Sequence, residues 1–120
     1  MPQRIVTVER VYDHPGDEGP FRVLVDRLWP RGLRRDAFHF DDWAQALAPS
    51  TDLRKWYSHD TSLFAEFRDR YRAELATNQA RRAISGLDER ADGRSFVLLT
   101  ATRDVEHSAA AVLAEVLRGT

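Results

Sequence analysis

The chain has 120 residues, of which 42% are hydrophobic and 31% charged, and its 18 basic and 19 acidic side chains leave a formal net charge of -1. That length suits one domain, residues 1–120, able to bury its own core, and the near-neutral balance offers no overall basic field to nucleic acid or an anionic membrane. The absence of cysteine excludes disulfides, thiolate metal sites and thiol nucleophiles, and no apolar run reaches the roughly 18 residues of a membrane span, so a cytoplasmic location is expected.

Residues 4–12, RIVTVERVY, are rich in β-branched side chains and run into the turn formers DHPGDEGP, which end a strand. A second strand is expected over 22–28, around the apolar run Val23-Leu24-Val25, and a third over 95–101, around Phe96 to Leu99. Short unbroken apolar runs suit strands buried on both faces of a parallel sheet. The stretch between these two strands reads as helix throughout. FDDWAQALA would start at Asp41 or Asp42 and close at Pro49. Ser50, Thr51 and Asp52 open the next helix. Asp60, Thr61 and Ser62 precede apolar residues at 63, 64, 67, 71 and 75, and Ala80, Ala83, Ile84 and Leu87 continue to a break at Asp92-Gly93. A last helix, beginning near Asp104, carries Ala109, Val112, Leu113, Val116 and Leu117 on one face and ends at Gly119.

A strand, a long helical crossover and a second strand normally form a parallel pair, so the fold class is α/β, with a small, mostly parallel central sheet flanked by helices. In open sheets of this kind ligands collect beyond the carboxyl ends of the strands. Asp26, Arg27, Arg31 and Gly32 would then share an edge with Thr100, Thr102, Arg103, Asp104 and His107.

Three guanidinium groups at one edge point to a pocket for a phosphate or carboxylate, because the planar fork of Arg binds such anions at two points. Arg27, Arg31 and Arg103 would hold the anion, and Asp26 or Asp104 would orient them. His59, His107 and Asp26 are the candidates for proton transfer, while Trp29, Gly32 and Trp56 complete the candidate binding set.

Each residue also has a plainer role. Asp104 suits the N-cap of the last helix, and Asp26 with Arg27 can neutralise charge where a buried strand emerges. Trp29 fits a core, Pro30 and Gly32 fit a turn, and His59 and His107 fit the ends of helices. His59 and His107 lack the compact spacing of a helical metal site, so no metal or cofactor is expected. There is no Gly-x-Ser-x-Gly elbow, and Asp41-Asp42 is explained as a helix start. An alternative function is a non-catalytic protein-interaction module built on Trp29, Trp56 and the arginines, residue types that anchor interfaces. DNA binding is disfavoured by the charge balance and by the lack of a helix-turn-helix with a basic recognition face.

Five segments, RVYD at 10–13, RVLVDRLWPRG at 22–32, APSTDLRKWYSHD at 48–60, EFRDRYRAEL at 66–75 and LLTATRDVEH at 98–107, resemble the YeaO-like branch of the domain-of-unknown-function 488 family. The resemblance implies a small α/β fold without fixing an activity. Other branches carry an acid-arginine pair after the second strand and a Cys-His-Arg signature after the last. The matching positions here are Asp26-Arg27 and Glu106-His107-Ser108, so thiol chemistry does not carry over. Ser108 stands where the branch usually has Asn, and Phe64 where it usually has Trp. The functional expectation is a protein that binds a small anionic metabolite at the strand ends, with catalysis on it left open.

Overall fold

The computed structural model describes residues 5–12, 19–37, 39–58 and 60–119. Four strands, β1 (Val6–Arg10), β2 (Phe21–Leu24), β3 (Asp42–Trp43) and β4 (Phe96–Thr100), form one sheet in the order β1-β4-β2-β3, with every pair parallel. The register sets Val6 and Phe21 on either side of Phe96, and Glu9 and Leu24 on either side of Leu99. β4 is therefore central, and all five of its residues are buried, as its unbroken apolar run requires.

Alternation along the strands divides the core in two. Phe96 and Leu98 join Val6, Phe21 and Val23 in a cluster with apolar residues of α1 (Thr51–Tyr57), α2 (Phe64–Leu75), α3 (Asn78–Ala91) and α4 (Ala109–Arg118). Val97 and Leu99 point the other way, joining Val11, Leu24, Trp29, Leu33, Phe40 and Trp43. The sheet is flanked by its helices as expected, and all four α-helices pack on this one face. The other is roofed by the segment between β2 and β3, whose Trp29 ring packs against Phe40 and Trp43 at 5.5 and 5.6 Å between centroids.

The helix starts follow local chemistry. Ser50 accepts from the Leu53 N–H and caps α1, while Glu74 accepts from both the amide and the hydroxyl of Ser50 at 2.8 and 2.6 Å. Asp60 caps a short 3-10 turn, Thr61–Leu63, that leads into α2, and Thr77 caps α3. Asp92 and Gly93, at φ of 49° and 83°, break α3 in the left-handed region, as the sequence anticipates.

Two expectations are corrected. FDDWAQALA does not form a helix. Asp42 and Trp43 pair with Val23 and Leu24 as β3, and only Gln45–Leu47 coil, as a 3-10 turn. Asp42 instead binds Arg90, at 2.8 Å from Nε, an ion pair that draws α3 to the sheet edge. The last helix begins at Ala109 rather than near Asp104, because Ser108 accepts from the Ala111 N–H and a separate 3-10 turn occupies Val105–His107.

Among the described residues no helix is long and apolar enough to cross a membrane.

Candidate functional site

β2 and β4 lie side by side and parallel, so they deliver their carboxyl ends to one edge. The Val25 N–H donates to the Leu99 carbonyl at 3.0 Å, carrying the ladder one residue past β2. Asp26 then ties the two strand ends together. Its carboxylate accepts from the Thr100 hydroxyl at 2.6 Å and from the Ala101 amide at 2.8 Å. Burial pushes the Asp26 carboxyl above its ordinary value, and those two hydrogen bonds pull it partly back. The departing loop is held by its carbonyls, with Asp26 accepting from Trp43 Nε1 at 2.6 Å and Arg27 accepting from the Gln45 amide at 3.0 Å. Main-chain anchoring leaves the Arg27 side chain in solvent and Leu28 71% exposed at the rim.

Beyond these ends lies an open cleft of about 540 Å³. One wall comes from the sheet and the loop after β2, with Val25, Asp26, Arg27, Leu28, Trp29 and Pro30. The other comes from α1 and the chain just before it, with Pro49, Arg54, Lys55, Tyr57 and Ser58, backed by Phe67. Thr102, His107 and Ser108 close it from the segment after β4. Arg54, Tyr57 and Ser58 fall at i, i+3 and i+4, so one side of the helix turns all three to the cleft. Arg54 donates from Nη2 to the Thr51 hydroxyl at 3.3 Å, whereas its buried Nε has no hydrogen-bond partner among the described residues.

The Tyr57 hydroxyl donates to the His107 carbonyl at 2.8 Å. Burial first, and then the negative charges of Asp104 and Asp60, push the Tyr57 phenol up, so it remains a neutral donor at physiological pH. His107 Nδ1 lies 2.8 Å from the Asp104 carboxylate, and the imidazole meets the Phe64 ring edge-on with centroids 5.1 Å apart. A neighbouring depression of about 480 Å³, lined by Arg103 and Asp104, shares Asp26, Ala101 and Thr102 with the cleft.

The structure brings four of the sequence candidates to the cleft: Asp26, Arg27, Trp29 and His107. Arg103 and Asp104 line only the adjoining depression, and Asp104 pairs with His107 instead of capping a helix. Arg31 and Gly32 are not on the walls. They form an exposed turn in which Gly32 has φ of 79° and the Arg31 carbonyl accepts from the Tyr12 hydroxyl at 2.9 Å. Trp56 is likewise off the cleft, its ring lying under Arg70 at 4.3 Å. Trp29 reaches the cleft but is also structural, its Nε1 donating to the Leu33 carbonyl at 2.6 Å. His59 lies outside the described residues. Sequence reasoning missed Arg54, Tyr57 and Ser58, although helical spacing counted from the Ser50 cap would have put them on one face. Among the described residues there is no group of three or more metal-ligating side chains.

A small α/β protein with an open, cation-rimmed cleft at the ends of parallel strands is the class this fold and site define. The chain belongs to the family described as the inactive DUF488-N3 subclade, whose model matches residues 5–120. It is 44% identical over 115 residues to uncharacterized protein Rv3073c of Mycobacterium tuberculosis (strain H37Rv), covering 95% of this chain and 94% of that protein. Uncharacterized protein YeaO of Escherichia coli (strain K12) is 35% identical over 113 residues, covering 94% of this chain and 96% of YeaO. No solved structure matches.

Proposed function

We propose that this protein binds a small anionic metabolite, bearing a phosphate or carboxylate, in the cleft at the carboxyl ends of β2 and β4, and releases it unchanged. The observation that carries the reading is Arg54, a half-buried cation in the cleft wall whose planar fork suits a phosphate or carboxylate. Lys55 and Arg27 add positive charge at the same opening. Binding without turnover agrees with the word inactive in the family description.

The alternative, an interaction module presenting Trp29 and Trp56, has less support, because both rings are engaged within the molecule. DNA binding gains nothing from a net charge of -1.

A thermal-shift screen of inorganic phosphate, phosphorylated metabolites and small carboxylates tests the reading on wild type and Arg54→Gln. A ligand at a hundredfold its Kd adds about 2.7 kcal/mol of stability, so a clear rise in Tm is expected for the wild type and a much smaller one for the variant. The reading fails if no anion raises the wild-type Tm, or if the variant responds equally.

A further inference from the structure

Resting on the anion-binding reading, we infer that the cleft selects a ring-bearing ligand with a single anionic group. Its anion would lie against Arg54 and Lys55 on the α1 side, and a hydrogen-bond donor at its other end would meet Asp26 on the sheet side.

Size comes first. A cleft of about 540 Å³ is in the range of sites for drug-sized molecules, and a bare phosphate would leave most of it empty. The walls decide what fills the remainder. Leu28, Trp29 and Pro30 on one side face Pro49, Tyr57 and Phe67 on the other, apolar and aromatic surfaces that favour a flat, apolar body over a hydrated one. The ligand is therefore amphipathic.

Charge placement fixes its two ends. The cations Arg54 and Lys55 stand on α1, whereas at the sheet edge the acid, Asp26, is the inner group and the Arg27 side chain lies outside it in solvent. Asp26 already accepts from Thr100 and Ala101. An ionised carboxylate offers about four acceptor positions, so it can take a further N–H or O–H from a ligand. A second ligand anion at that end would face a carboxylate in a partly dry wall, where like charges repel strongly. The cleft accordingly discriminates against ligands with an anionic group at both ends by the same residue that recognises a donor.

Calorimetric titration of the full chain at pH 7 with three matched probes, benzoate, 4-hydroxybenzoate and terephthalate, tests this directly. On the wild type, 4-hydroxybenzoate should bind about tenfold tighter than benzoate, and terephthalate at least tenfold weaker than 4-hydroxybenzoate. Asp26→Asn should bring terephthalate up to the level of benzoate. Arg54→Gln, or Lys55→Gln at an exposed position if the first variant does not fold, should weaken all three. The inference is overturned if wild type binds terephthalate as tightly as 4-hydroxybenzoate, or if a folded Asp26→Asn leaves the order unchanged. In those cases Arg54-dependent binding of benzoate or inorganic phosphate would leave the broader anion-binding reading standing. If none of the three probes nor inorganic phosphate binds, both fail.

Discussion

Replacing Ser108 by Ala removes the cap of α4 and should cost about 2 kcal/mol. The Ser108 oxygen accepts from the Ala111 N–H at 3.2 Å and its hydroxyl donates to the Val105 carbonyl at 2.6 Å. N-cap losses span about 0.5–2 kcal/mol. The upper end applies here, because Ser108 is only 3% exposed and water cannot readily replace the lost partner. The Val105 carbonyl keeps a bond from the Ser108 amide, which prevents a larger loss. For a chain of this size about 2 kcal/mol corresponds to a drop in Tm of roughly 8 °C. Asp104→Ala is the matched control. It removes only a half-exposed pairing with His107 and should cost about 0.5 kcal/mol, the usual worth of an exposed polar pair. Urea denaturation followed by far-UV circular dichroism gives both values. A larger loss for Asp104→Ala than for Ser108→Ala would refute the assignment of the helix start.

Asp26→Asn should change how stability depends on pH. Because burial lifts the Asp26 carboxyl above its ordinary value of 3.8, the native state takes up that proton at a higher pH than the unfolded chain does. Wild type should therefore gain stability relative to Asp26→Asn as pH falls from the lifted value to about 3.8, and lose it as pH rises. The slope is at most about 1.4 kcal/mol per pH unit; a pH-independent difference in urea melts between 4 and 7 would contradict it. Arg22→Ala should cost about 3–5 kcal/mol, because Arg22 is 0% exposed, donates to the His39 carbonyl at 2.8 Å and faces Glu9 at 4.0 Å. Arg27→Ala, at an exposed position, should stay within about 0.5 kcal/mol, and equal losses in chemical denaturation would overturn the distinction. Tyr71→Phe removes the buried hydroxyl that donates to the Leu47 carbonyl and should lower stability by about 1–2 kcal/mol; an unchanged urea midpoint would show that the bond contributes nothing.

Where local chemistry decides, the fold is legible in the sequence. The buried run of β4 and the caps at Ser50 and Asp60 lie where their residue types dictate, and the carboxyl edge of β2 and β4 carries the cleft. Contacts between distant residues decide the remainder. FDDWAQALA has an acceptable helical pattern, but pairing with β2 and the grip of Arg90 on Asp42 outweigh it over two residues. Asp104 and Ser108 are both good cap residues, and only the placement of the preceding 3-10 turn chooses between them. Arg22 and Arg27 look alike in RVLVDR. The side chain of Arg22 falls on the face roofed by the β2–β3 segment, whereas Arg27 lies beyond the last ladder bond. Arg54 escaped notice for a related reason, since only the packing of α1 against the strand ends brings its cation to the cleft.

In the proposed function an anion seats between α1 and the ends of β2 and β4. Titrating 15N-labelled protein with 4-hydroxybenzoate, and separately with inorganic phosphate, tests it residue by residue. Saturable amide shifts are expected at Lys55, Ser58, Ala101 and Thr102, which line the cleft, with little change along Arg81 to Glu89 on α3. No saturable shift with either probe, or shifts centred on α3, would rule out anion binding in this cleft.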